Sequence, residues 1–253
     1  MKPLIVIPTY NERENIPKLL SRLLGMDPVI EVLVVDDNSP DGTAKLVEEY
    51  AQNTSRIHLL ERPKKCGIGP AYIAGFQWAL QQEYDVIMEM DADLSHDPVY
   101  VPQFFVALQT CDVVVGSRWV KGGRLADWPF SRVLLSRLAN LYSQGVLNVR
   151  IRDWTAGFVA YRRAVLEAIN LEEIHSDGYS FQIEMKFRSL KNGFRVHEIP
   201  ITFTDRKAGE SKISRRIVLE ALLMVVYLRL IEKRLVEPRG KAINPAPEKL
   251  YTQ

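Results

Sequence analysis

Val29-Ile30-Glu31-Val32-Leu33-Val34-Val35-Asp36-Asp37 runs almost unbroken through apolar, β-branched residues and stops on two carboxylates. A strand buried on both faces reads this way, because neither side can alternate with polar residues. Asn38-Ser39-Pro40-Asp41-Gly42 then supplies a turn, and Asp41 can cap a helix expected from Thr43 to Gln52. The same unit recurs on either side. Leu4 to Ile7 is a short strand, followed by the loop Pro8-Thr9-Tyr10-Asn11-Glu12 and a helix with Asn11 as N-cap and Glu14 in the capping-box position. Ile57 to Leu60 is a third strand, and Gly67 and Gly69 lead into a helix through Leu80. Val86 to Met90 is a fourth strand, ending in Asp91-Ala92-Asp93; a helix follows Pro98, and Val113 to Val115 is a fifth strand. Strands alternating with helices predict an α/β, doubly wound chain: a mostly parallel, Rossmann-like sheet flanked by helices.

Composition narrows the function classes. The 253 residues are 47% apolar with a formal net charge of +2, so nothing global points to a nucleic-acid partner. Cys66 and Cys111 lie far apart in sequence, which excludes a C-x-x-C zinc or redox motif and favours a reducing, cytoplasmic setting. The opening Met1 to Ile7 is too short before Pro8 to read as a signal peptide. Basic character is local instead. Residues 118–163 carry nine arginines and lysines against two aspartates. In this second part helices are expected from Ser131 to Leu147 and from Tyr179 to Lys191, with strands at Val159-Ala160-Tyr161 and from Arg195 to Phe203. The stretch from Arg215 to Leu235 predicts an amphipathic helix with Leu222, Leu223, Val226 and Leu230 on one stripe, fit either to lie on a membrane or to pack on the sheet. The tail at 237–253, with three prolines, reads as disordered.

The chemically loaded residues fall at the carboxyl ends of strands, where open α/β sheets bind ligands. A bare D-x-D is common in sequences, and Asp91 and Asp93 could form a solvated acidic turn that caps the helix after Pro98, a role Asp97 fits equally well. Their place at the end of a buried strand favours oxygen ligation of a hard divalent cation that bridges to a diphosphate. Neither a Walker A sequence nor G-x-G-x-x-G follows the first strand, which argues against a nicotinamide dehydrogenase. Tyr10 and Glu12 stand where a dinucleotide fold would place glycines; they can face a nucleoside, with Asp37 as a further polar contact, or Tyr10 can be a partly buried loop aromatic. Arg132 and Ser136 share a helix face at i and i+4. Asp153 can bond a sugar hydroxyl or serve a cap or turn. His58, His96, His175 and His197 show no base-like arrangement and read as structural or surface residues.

Five motifs in order then carry a resemblance: Pro8-Thr9-Tyr10-Asn11-Glu12-Arg13-Glu14-Asn15, Val34-Val35-Asp36-Asp37-Asn38-Ser39-Pro40-Asp41-Gly42-Thr43, Met90-Asp91-Ala92-Asp93-Leu94-Ser95-His96, Gly116-Ser117-Arg118, and Arg206-x-x-Gly209-x-Ser211-Lys212. Over residues 3 to about 236 the chain resembles the dolichol-phosphate (polyprenol-phosphate) mannose synthases, inverting family 2 glycosyltransferases of GT-A fold. The resemblance implies a catalytic domain over 1–213, with a nucleotide-sugar half at 1–118 and an acceptor half at 119–213, and a membrane-facing helix at 214–236. It implies GDP-mannose as donor, Mg²⁺ or Mn²⁺ as metal and a polyprenyl or dolichyl phosphate as acceptor. A cytoplasmic membrane surface is the implied location, with a small anchoring subunit as an optional partner. Pro8, Tyr10, Glu12, Val35 and Asp37 would hold the nucleoside; Asp91, Ala92 and Asp93 the diphosphate and metal. Arg206 and Lys212 would close over the diphosphate, and Arg118, Arg132 and Ser136 would grip the acceptor phosphate, with Asp91, Asp93 and Arg118 as the catalytic set. Two departures stand out: Ser95 replaces the Gln of some relatives, and Ala156-Gly157-Phe158-Val159 replaces an S-G-F-R-like segment. A polyprenyl-phosphate glucosyl- or N-acetylhexosaminyltransferase would share almost all these motifs, and a non-catalytic nucleotide-sugar-binding membrane module is the alternative from another class.

Overall fold

A computed structural model describes residues 1–27, 29–204, 215–232 and 235. Arg206, Lys212 and the tail expected at 237–253 lie outside the described residues. In chain order the elements are β1 (Pro3–Thr9), α1 (Ile16–Leu24), β2 (Glu31–Asp36), α2 (Thr43–Asn53), β3 (Ile57–Glu61), α3 (Ile68–Leu80), β4 (Val86–Glu89), α4 (Val101–Ala107) and β5 (Val113–Ser117). They continue as β6 (Arg124–Ala126), α5 (Phe130–Leu147), β7 (Val159–Arg162), α6 (Arg163–Ala168), α7 (Gly178–Lys191), β8 (Val196–Pro200), β9 (Thr202–Thr204) and α8 (Arg215–Ile231).

Seven strands form one sheet in the order β3-β2-β1-β4-β7-β5-β8, and only β7 runs antiparallel to its neighbours β4 and β5. The sheet therefore takes strands from both sides of residue 118. Side chains alternate along each strand, so the two faces bury separate cores. Ile5, Ile7, Val32, Val34 and Met88 pack with Leu19, Leu20 and Leu23 of α1. Leu4, Val6, Leu33, Val35 and Ile87 pack with Ala71, Tyr72 and Phe76 of α3. Gly75 permits that approach, since a Cβ there would lie 2.5 Å from Val6 Cγ1.

The elements differ from expectation at five places. The first helix starts after Asn15, and Asn11 is a loop residue at φ 61°. The backbone N–H groups of Asn11, Glu12 and Arg13 donate to Ser39 Oγ, Thr43 Oγ1 and Asp41 Oδ2, so the turn after β2 holds this stretch as a loop. Gly42 takes the cap position of α2, although Asp41 Oδ1 still accepts the Thr43 N–H at 2.9 Å. The strand expected over Arg195–Phe203 divides at Ile201, and its second part pairs with β6 in a separate two-stranded ribbon. Neither β6 nor the six-residue α6 announces itself in the sequence; both are too short for a periodicity.

Between α5, α7 and α8 lies a third core of Leu147, Ile151, Trp154, Ile183, Phe187, Val225, Leu228 and Leu235. One side of α8 is therefore inside the protein, docked on helices rather than on the sheet. Its other side is not: Leu219, Leu223, Val226, Tyr227 and Leu230 are exposed.

Candidate active site

Beyond the carboxyl ends of β1, β2 and β4 opens a cleft of about 210 Å³, lined by Pro8, Thr9, Tyr10, Glu12, Asp37, Lys65, Gly67, Ile68, Ala71, Asp91, Ala92 and Asp93. Seven of the eight residues expected around the nucleoside and diphosphate in the described chain meet there. Val35 is the exception. It is wholly buried, and its Cγ2 lies 3.2 Å from where a Cβ on Gly75 would stand, so strand alternation turns it toward α3 and away from the cleft.

Asp37 is nearly buried and accepts from Arg62 Nη1 at 2.7 Å and from the Cys66 N–H at 3.1 Å. It therefore anchors the loop that brings Lys65 and Gly67 to the cleft wall. Lys65 Nζ sits 3.9 Å from the centroid of the Tyr10 ring. Sequence reading passed over Lys65, because a loop lysine carries no signal of its own.

Asp91 and Asp93 are held as a unit. Tyr72 OH donates to Asp91 Oδ1 at 3.2 Å, and burial with the nearby Asp91 carboxylate raises the phenol well above its ordinary range, so it stays a donor. The Asp91 N–H donates to His96 Nδ1 at 3.0 Å, which puts the ring proton of a neutral His96 on Nε2. His96 is buried and stacked on Phe158 at 4.8 Å. It is a structural histidine, as expected, with the specific task of fixing the Asp91 backbone. Asp93 Oδ1 accepts the Ser95 N–H at 3.0 Å across a turn in which Leu94 has φ 65°. The helix cap after this turn is Asp97, whose side chain accepts from the Val99 N–H. Asp91 and Asp93 are not occupied as caps.

A second pocket, of about 60 Å³, lies between α5, α7 and α8 and the end of β5. Arg118, Arg132 and Ser136, the three residues expected at an acceptor phosphate, all line it, together with Trp128, Thr155, Tyr179 and apolar walls that include Leu135, Ile183, Leu222 and Val225. Arg132 lies 3.8 Å over the Trp128 ring, and Ser136 Oγ is buried without a hydrogen-bond partner among the described residues.

Arg118 lines this pocket and is also held in an ion pair. Its Nε and Nη2 donate to Asp153 at 2.8 and 2.6 Å, and Nη2 also donates to Thr155 Oγ1 at 2.8 Å. Burial would lower the guanidinium, but Asp153 more than reverses this and its affinity for the proton is raised. A buried pair of this kind is close to neutral, and among the described residues only Nη1 of Arg118 has no hydrogen bond to a neighbour. Asp153 is fully buried and is the counterion of Arg118.

The segment 153–158, whose Thr155 lines the second pocket, is tied at several points. Glu198 accepts both the Arg152 and Asp153 N–H groups, and Asn140 Oδ1 accepts the Trp154 N–H. Lys186 is fully buried and donates to the Trp154 and Ala156 carbonyls at 3.1 and 2.7 Å; burial lowers it to about 8. Gln182 and Tyr161 donate to Glu89, which burial raises to about 7. These residues could not be found from sequence, because a lysine inside α7 looks like any solvated helix charge.

Residues 4–169 match the glycosyl transferase family 2 profile. The chain is 47% identical over 241 residues to a polyprenol monophosphomannose synthase of Mycolicibacterium smegmatis, covering 94% of this chain and 91% of that one. It is 48% identical over 225 residues to an undecaprenyl-phosphate mannosyltransferase of Micrococcus luteus, covering 89% and 93%. Among solved structures it is similar to glucosyl-3-phosphoglycerate synthase from Mycobacterium tuberculosis in complex with Mn²⁺, UDP and phosphoglyceric acid. That match has a TM-score of 0.63 at 17% identity and covers 94% of this chain and 80% of the other, which speaks for the fold alone. The mostly parallel sheet is a GT-A fold, and the chain belongs to glycosyl transferase family 2.

Proposed function

We propose that the chain transfers mannose from GDP-mannose to a polyprenyl phosphate, giving polyprenyl-phosphate mannose with inversion at the anomeric carbon. The observation that carries this reading is the pairing of two sites on one sheet edge. A cleft with two carboxylates opens at the end of β4, and an apolar-walled pocket with Arg118, Arg132 and Ser136 opens at the end of β5. Two relatives close to half identical, named for mannosyl transfer to polyprenyl phosphates, support mannose as the sugar.

Two carboxylates at one strand end are hard oxygen donors that fit Mg²⁺ or Mn²⁺, and no group of three or more acidic, His or Cys side chains gathers among the described residues. Asp91 and Asp93 would hold such an ion, with diphosphate oxygens and water completing its shell. Bound there, it would offset the charge that grows on the departing diphosphate. Pro8, Tyr10, Glu12 and Asp37 would hold the nucleoside, and Lys65 adds a cation at the same wall.

Arg132, Ser136 and the Nη1 end of Arg118 would orient the acceptor phosphate. A phosphate monoester is anionic at neutral pH, so its oxygen attacks without a general base. One C–O bond forms to the acceptor phosphate as the bond to GDP breaks.

The reading also places the protein on a membrane surface, on its cytoplasmic face. No helix among the described residues is long and apolar enough to cross a bilayer. Yet α5 and α8, joined by the Tyr142 OH bond to the Leu222 carbonyl, leave Phe130, Leu134, Leu138 and Leu141 exposed on one helix and Leu219, Leu223 and Leu230 on the other. Both helices also wall the acceptor pocket. A lipid chain can pass from such a surface into the pocket without crossing water.

Incubating the protein with a short polyprenyl phosphate and labelled GDP-mannose, UDP-glucose or UDP-N-acetylglucosamine tests the assignment. Label is expected in the organic phase from GDP-mannose. Preferential transfer from either UDP-sugar would replace mannose with that sugar.

A further inference from the structure

Trp128 stands two residues beyond β6 and lines the pocket with both arginines. Phe203 of β9 meets its ring edge-on at 5.6 Å and 83°, and the Arg132 guanidinium lies 3.8 Å over its face. The ring is thus fixed from two directions. Its Nε1–H, which can only donate, is buried and has no hydrogen-bond partner among the described residues. A shielded donor left unpaired is costly and uncommon, so it asks for an acceptor from outside the chain.

We propose that Trp128 is a ligand-binding residue of this pocket: its indole N–H donates to an oxygen of the acceptor phosphate while its ring face holds Arg132 in place beside it. The inference rests on the pocket's being a phosphate site. Ser136 Oγ is a second buried group in the same lining without a partner among the described residues, so two unmet hydrogen-bonding groups and two guanidinium groups border one small cavity. An apolar or cationic ligand would leave those groups unmet. A phosphate monoester carries three terminal oxygens, enough to accept from the indole, the hydroxyl and the arginines together. Trp119 and Trp154 also have unpaired Nε1 groups, but neither lines the pocket, so the same argument does not extend to them.

W128F keeps an aromatic face for Arg132 and removes the N–H donor along with the five-membered ring. The test measures KM for a short polyprenyl phosphate and for the nucleotide sugar in wild type, W128F and R132A, with melting temperature as the control for folding. Loss of a hydrogen bond to an anion predicts a roughly tenfold higher acceptor KM in W128F with an unchanged donor KM. Should W128F melt early, replacement of Trp128 by β-(3-benzothienyl)alanine, which has the indole's shape but no N–H, makes the same comparison. An acceptor KM equal to wild type in a folded variant overturns the proposal. If R132A still raises the acceptor KM, the Trp128 assignment alone fails; if neither variant moves it, the phosphate reading of the pocket fails as well.

Discussion

Two arginines that look equivalent in sequence have different environments. Arg118 is locked to buried Asp153 and touches Thr155, whereas Arg132 lies over an aromatic face. R118A would strand a carboxylate inside the protein and is expected to cost about 3–5 kcal/mol of stability, visible as a lower denaturation midpoint. R132A should leave the fold intact and weaken use of the lipid phosphate by about 1.5–3 kcal/mol, read as a higher acceptor KM with donor affinity unchanged in calorimetry. Equal destabilisation by both variants would contradict the distinction. For the donor cleft, D93A is expected to abolish transfer, and excess chelator should silence the wild type until Mg²⁺ or Mn²⁺ is restored. A fully active D93A protein would remove the metal from the account. The strand-end carboxylates and Tyr10 were legible in the sequence because a short motif ends a long apolar run. The partnerships of Asp153, Thr155 and Lys186 were not, since those partners lie 30 or more residues away.

Among the elements, α8 is where sequence left two readings open, and the structure buries one side of it among helices and exposes the other. Val225 and Leu228 are buried against Trp154, Ile183 and Phe187, while Leu223 and Leu230 face outward. Periodicity alone cannot separate these, because a helix with apolar residues on much of its circumference satisfies both. L228A is therefore expected to lower stability by about 2–5 kcal/mol, as for a buried leucine. The double variant L223E/L230E should melt like wild type yet sediment less with anionic liposomes, which themselves should bind the wild type less at high salt. Undiminished liposome binding by that variant would assign the exposed leucines to something other than a membrane. The strands that pair in the main sheet were visible from their composition. The β6–β9 ribbon was not, because three-residue strands lack a pattern of their own.

Across the molecule, the order of motifs along the chain was readable, but their convergence on one edge depends on a topological detail that was not. β7 enters the sheet antiparallel between β4 and β5, so the segment before it crosses the edge between the two pockets. Buried Lys186 and Asn140 hold that segment in place, and Arg118 reaches it through Asp153 and Thr155. One wall can thus set the spacing between a sugar donor on one side and a phosphate on the other. The central claim is that the acceptor's own phosphate oxygen takes the sugar. Phosphorus NMR of GDP-mannose and a short polyprenyl phosphate with the protein and Mg²⁺ observes that bond directly. The account predicts that the phosphomonoester signal gives way to a phosphodiester signal as one GDP appears for each mannose transferred. GDP released while the monoester signal stays unchanged would contradict it.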